Sequence, residues 1–182
     1  MPPPRVLILG HSFIRRLKTF IENYPTKLDL AFQISTLAAI SWRGVGGVYS
    51  GTSDQYDTRV MRSNCLDIVI VPLGTNALLH DSYGVKCVCM YQTIRCRSAK
   101  KFNEKVNTLT KYLRVVLEPI PYSFYWGHRG FWNAKANFFA SDGVHLNSRG
   151  QLKLYRSLRG EVLTSLRFLA KSLPSKASLA LG

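Results

Sequence analysis

Acidic residues are scarce in this chain of 182: ten aspartates and glutamates stand against 25 lysines and arginines, a formal net charge of +15. The deficit deepens along the chain. Beyond Asp81 lie 17 of the cations and 4 of the acids, so the second half alone carries an excess of 17 − 4 = +13. Such an imbalance is the electrostatic footprint of a polyanion partner held in a salt-dependent way. RGG, zinc-knuckle and repeated aromatic-basic segments are missing, however, so the same charge also fits a solvated surface. Long apolar runs are lacking too. No stretch reaches the length of a membrane span, and the start Met1-Pro2-Pro3-Pro4-Arg5 offers no apolar signal region, so an intracellular, cytoplasmic protein is expected. Cysteine is limited to Cys65, Cys87, Cys89 and Cys96. Cys87-x-Cys89 lies in an apolar strand-like run without a second paired motif, which argues against zinc and for small buried hydrophobes.

What is present suffices for one core. With 46% hydrophobic residues the length suits a single domain over residues 1–173, followed by a tail, 174–182, expected to be disordered. The chain is organised around Val6-Leu7-Ile8-Leu9-Gly10-His11-Ser12, a short β-rich apolar run that stops at glycine and hands a serine to a helix. Phe13, Leu17, Phe20 and Ile21 then share one helical face. A serine at that junction has free backbone N–H groups beside it and the positive end of a helix dipole behind it, both favouring an anion. Helix capping is the ordinary use of serine there.

Further strands are expected at Lys27–Ile34, Leu66–Leu73 and Val85–Tyr91, with a short fifth beginning at Arg114–Leu117. Asp54–Asn64 and about Lys101–Leu113 read as helices. A last helix is capped by Asn147 or Ser148 and carries an apolar stripe of Leu152, Tyr155, Leu158, Val162, Leu166 and Leu169. Alternating strands and helices predict a three-layer α/β/α sandwich around a parallel sheet of about five strands. Ser12, the glycine loop Gly44–Gly47 and Asn76 would then meet where the strands' carboxyl ends converge. A base is supplied by Asp142-Gly143-Val144-His145: within one turn the carboxylate can hold one imidazole nitrogen and leave the other free to take a proton from Ser12.

The blocks Gly10-His11-Ser12, Gly46-Gly47, Gly74-Thr75-Asn76 and Asp142-Gly143-Val144-His145 resemble, in order, the four signature blocks of the SGNH hydrolases, also called GDSL esterases and lipases. The resemblance spans roughly Arg5 to Leu169. Gln92–Arg95 and Tyr125–Trp132, with Asp142–Asn147, look most like the animal esterase-like domains associated with some non-LTR retrotransposons. It implies a flavodoxin-like SGNH fold and a serine esterase acting on small acyl or acetyl esters through an acyl-enzyme, with no metal or organic cofactor. Ser12 would be the nucleophile, His145 the general base and Asp142 its orienting carboxylate. The oxyanion hole would comprise the Ser12 N–H, the Gly47 N–H, with Gly46 as second choice, and the Asn76 side-chain amide.

The sequence departs from the family at His11 and Ala77, where aspartates are usual; neither position belongs to the triad. Between Asn76 and Val85 only Ala77–Gly84 remain for a parallel crossover, which needs a dozen or more residues. The helix usual there is therefore expected to be missing, leaving one sheet face partly bare. A second functional reading is a catalytically inactive SGNH-like domain that binds RNA or DNA through its basic second half.

Overall fold

A computed structural model describes residues 2–24, 37–44, 66–72, 85–97, 99–131 and 137–172. In chain order the elements are β1 (Arg5–Gly10), α1 (Ser12–Asn23), β2 (Ala39–Gly44), β3 (Ile68–Pro72), β4 (Cys87–Tyr91), α2 (Lys100–Leu117), β5 (Ser123–Trp126) and α3 (Ser148–Ser172). The strands form one sheet in the order β2-β1-β3-β4-β5, every pair parallel. The register fixes the edge that matters: Gly10 pairs with Gly44, Pro72 with Tyr91, and Tyr91 with Trp126. Parallel strands place all their carboxyl ends on one edge, and the order reverses between β1 and β3, the position where open α/β sheets bind ligands.

Burial on both faces explains why β1, β3 and β4 read as continuous apolar runs rather than alternating ones. On one face Val6, Ile8, Ile68, Ile70, Cys87 and Cys89 pack against Ile14 and Leu17 of α1 and Leu154, Leu158 and Val162 of α3. On the other, Leu7, Leu9, Val69, Val71, Val88 and Met90 pack with Leu117 of α2, and Leu113, Ile120 and Tyr125 border them. The face expected to be bare is covered at its described positions, with Leu7 1% and Val69 and Val71 0% exposed. Counted from the described end of β3 at Pro72 to the start of β4 at Cys87, rather than from Asn76, 14 residues (87 − 72 − 1) lie between the strands. That length suffices for a parallel crossover. Residues 73–84, on which the expected loss of a helix falls, lie outside the described residues.

Two other expectations change. Arg114–Leu117 is the last turn of α2 and not a strand; Leu113 and Leu117 continue the face begun by Val106, and Pro119 follows the helix end. The fifth strand is Ser123–Trp126. Gly44, expected in the glycine loop, is the last residue of β2 and is required by packing: a Cβ there would fall on the backbone nitrogen of Arg15. β2 therefore lies against the first turn of α1. The expected elements at Lys27–Ile34 and Asp54–Asn64, and the tail 174–182, lie outside the described residues. For α3 the cap is Asn147, whose Oδ1 accepts the Gly150 N–H at 3.0 Å and whose carbonyl accepts the Gln151 N–H at 2.8 Å. Among the described residues no helix is long and apolar enough to cross a membrane.

Candidate active site

Ser12 is the first helical residue of α1 rather than its cap. His11 holds the cap position in extended backbone without a side-chain cap bond, and its carbonyl accepts the N–H groups of Ile14 and Arg15. The N–H groups of Ser12 and Phe13 precede the first intrahelical bond, so the helix itself gives them no acceptor. The Ser12 hydroxyl has no hydrogen-bond partner among the described residues. The serine thus stands at the carboxyl end of β1, with helix N–H groups beside it and its oxygen uncommitted within that set.

Asp142 and His145 are built into a tight turn just before α3. Gly143 takes φ +66°, a conformation that side chains disfavour, and its N–H donates to Ala140 O at 3.0 Å while its carbonyl accepts Arg97 N–H at 2.8 Å. One oxygen of Asp142 accepts the N–H groups of Val144 and His145, each at 2.9 Å. The other lies 2.6 Å from His145 Nδ1. Three donors on one carboxylate, the imidazole foremost, hold its pKa well below the usual carboxylate range. An ionised carboxylate only accepts, so Nδ1 is the donor, and in the neutral imidazole this leaves the lone pair on Nε2, the tautomer a general base requires. A single antiparallel bridge between Phe139 and Leu146, and the Asn147 side-chain amide donating to Asn137 O and Phe139 O at 3.1 Å each, anchor the turn.

The turn meets α1 at the serine's neighbour: the rings of Phe13 and His145 lie 6.2 Å apart, centre to centre. The contact brings the Asp142–His145 pair to the helix end that bears Ser12. Phe13 had been legible only as part of an apolar face. Of the expected oxyanion donors, the Ser12 N–H is placed as above. Gly46, Gly47 and Asn76 lie outside the described residues. They follow the ends of β2 at Gly44 and β3 at Pro72 by two, three and four positions, and those strands are the two neighbours of β1.

Sequence reasoning did not find a buried polar seam beneath α3. Cys89 Sγ donates to Glu161 Oε1 at 2.8 Å; Glu161 is fully buried, and desolvation drives its pKa well up. His128, 1% exposed, pairs through Nδ1 with Ser157 Oγ at 2.8 Å, and burial pushes its pKa down to about 3. Ser157 also accepts the Trp126 indole N–H at 3.1 Å. Phe131 is a core residue and Trp126 packs against the same core, whereas Trp132 lies outside the described residues. Cys87 and Cys89 are buried and free, Cys96 is half-buried and free, and Cys65 lies outside the described residues.

No protein-family model matches the chain, and no curated protein matches it. Solved structures do. A candidate SGNH hydrolase from Slackia heliotrinireducens is 12% identical, with a TM-score of 0.60 over 88% of this chain and 100% of that one. The C-terminal catalytic domain of peptidoglycan O-acetyltransferase A from Streptococcus pneumoniae is 17% identical, with a TM-score of 0.57 over 93% and 96%. A carbohydrate esterase of family 3 from Talaromyces cellulolyticus is 16% identical, with a TM-score of 0.54 over 90% and 98%. At such identities the likeness is one of fold. The chain has a parallel five-stranded α/β fold that matches the fold of these structures.

Proposed function

We propose that the protein is a serine ester hydrolase acting on small acyl or acetyl esters. The observation that carries this reading is the 2.6 Å pairing of His145 Nδ1 with Asp142 on a turn whose imidazole packs beside Phe13, the residue after Ser12. In the proposed reaction His145 Nε2 takes the Ser12 hydroxyl proton as Oγ attacks the ester carbonyl. The tetrahedral oxyanion is met by the Ser12 N–H, the Gly47 N–H and the Asn76 amide. His145 then returns the proton to the departing alcohol, leaving an acyl-serine that water hydrolyses by the same sequence. Each oxyanion donor would be worth about 3 kcal/mol in the barrier. No step calls for a metal or organic cofactor.

Four ordered sequence blocks support placement in the SGNH hydrolases, with the retrotransposon-associated animal esterase-like domains as the nearest resemblance. The free thiols of Cys87, Cys89 and Cys96 fit an intracellular setting. The excess of cations favours a second role beside hydrolysis, namely binding of nucleic acid through the basic second half. The deciding experiment is p-nitrophenyl acetate hydrolysis by the purified protein and by Ser12→Ala, with circular dichroism showing both folded. Activity lost in the variant is expected; equal background rates from two folded proteins would remove the hydrolase reading.

A further inference from the structure

Beside the carboxyl end of the edge strand β5 the chain forms a cavity of about 1140 Å³. Five cations line it: Arg114, Arg129, Arg149, Lys153 and Arg156. They come from three places, the last turn of α2, the segment after β5, and one face of α3, where positions 149, 153 and 156 follow helical spacing. Among the described residues no carboxylate lines the cavity, and the ion pairs there are Lys18–Glu22, Lys86–Asp67 and His145–Asp142, none of which involves these five. Two of the five set their charged groups over rings instead. Arg114 lies over Tyr125, and the Lys153 ammonium lies 5.6 and 5.2 Å from the ring centres of Phe131 and Phe138.

Like charges gathered in one recess repel one another, and among the described residues no carboxylate offsets them. His128 lines the cavity, Nδ1 is engaged by Ser157, and Nε2 has no partner among the described residues. The triad residues are not part of this lining. β5 stands three strand spacings from β1, about 14 Å along the sheet.

We infer that this cavity binds the phosphodiester backbone of single-stranded nucleic acid, at a place distinct from the ester-hydrolysing site. The inference rests on the polyanion reading above and gives it a location. Charge count selects the ligand: one carboxylate or phosphomonoester neutralises at most two of five cations, whereas successive phosphodiesters meet them one by one. Shape selects the strand form. A recess cannot enter a duplex groove as a projecting helix does. A single strand can lie in it with bases against Tyr125, Trp126 or Phe138.

The test is fluorescence anisotropy of the full chain with fluorescein-labelled oligouridylate between 50 and 200 mM KCl. Five phosphate contacts give a log–log slope of about −3.5, hence an affinity that falls about 100-fold across that range. The double variant Arg149→Gln/Arg156→Gln changes two exposed residues and should lower the slope to about −2.1, a fall of about 20-fold, with affinity at 100 mM at least tenfold weaker. Lys101→Gln/Lys105→Gln, equally exposed on α2 and outside the cavity, should match wild type. Equal losses in both double variants would overturn the cavity assignment while leaving the polyanion reading standing. No binding at 50 mM by folded protein would overturn both. The cavity assignment would also fall if duplex bound more tightly than single strand. It would fall equally if the cavity variant bound normally yet lost hydrolysis of an anionic ester with p-nitrophenyl acetate hydrolysis intact.

Discussion

Replacing Asp142 by asparagine separates the carboxylate's chemical task from its structural one. Asp142 makes three interactions through two oxygens: Oδ1 accepts two backbone N–H groups at 2.9 Å, and Oδ2 faces His145 Nδ1 at 2.6 Å. An asparagine carbonyl at Oδ1 keeps both backbone bonds, so the turn and the unfolding midpoint should be preserved. The amide nitrogen at Oδ2 is a donor. It can pair with Nδ1 only when that atom is unprotonated, which moves the imidazole proton to Nε2 and removes the lone pair that must accept the Ser12 proton. Wrong-tautomer variants of a Ser-His-Asp constellation lose about 10⁴ in kcat, and the same loss is expected for Asp142→Asn. Steady-state p-nitrophenyl acetate hydrolysis at pH 7.5, read against Ser12→Ala as background, measures it. A folded Asp142→Asn protein that retains more than a tenth of wild-type kcat would refute the claim that Asp142 sets the tautomer of a working base.

Asn147→Ala removes the α3 cap and two amide bonds to the Asn137 and Phe139 carbonyls before the turn, so urea unfolding should show a loss of about 2 kcal/mol, with hydrolysis reduced as the His145 turn loosens. Gly44→Ala would drive a methyl into the α1 backbone at Arg15; a loss of 1–3 kcal/mol by urea unfolding, roughly the overpacking range, is expected, and an unchanged midpoint would show that α1 is not seated on β2. Stability should peak over roughly pH 4.5–6.5. Below the ordinary histidine value of 6.5 the unfolded chain takes up a proton that buried His128 refuses until about pH 3, so stability falls with acid. Above the ordinary glutamate value of 4.5 the unfolded chain ionises a carboxyl that buried Glu161 keeps protonated, so stability falls with alkali. The two slopes oppose each other between those values. Glu161→Gln should flatten the alkaline limb by up to about 1.4 kcal/mol per pH unit, and an unchanged limb between pH 6.5 and 8 would show that Glu161 is not its source.

The parallel sheet was legible because β1, β3 and β4 are buried on both faces, and two-sided burial leaves a run of apolar residues that no other element of that length produces. β5 left a weaker trace. Ser123–Trp126 is a half-buried edge strand of four residues, while the β-branched pair Val115-Val116 just upstream mimics a strand locally although α2 runs through it. There the helical stripe Val106, Leu113, Leu117 outweighed local propensity, and Val115, 69% exposed, packs against nothing that could hold a strand. Gly44 misled for a related reason. Glycine in a loop and glycine under a crossing helix look alike in one dimension, and only the Arg15 backbone above it distinguishes them.

The candidate site was legible where its chemistry is local and illegible where it is not. Asp142 and His145 lie three residues apart, so their spacing alone announces a hydrogen bond, and the structure supplies it. Glu161 and Cys89 are 72 residues apart and His128 and Ser157 are 29 apart, and each partner taken singly reads as surface or as core. The basic cavity belongs to this second kind. In the sequence Arg149, Lys153 and Arg156 read both as a solvated helix face and as a place for a phosphate backbone to dock, and the fold adds Arg129 after β5 and Arg114 at the end of α2 to the same recess. Net charge can announce an anionic partner from sequence alone, but the fold decides whether the cations are dispersed or concentrated. Here the edge position of β5 concentrates them, because an edge strand leaves one flank of the sheet free for side chains of α2 and α3 to face each other around it.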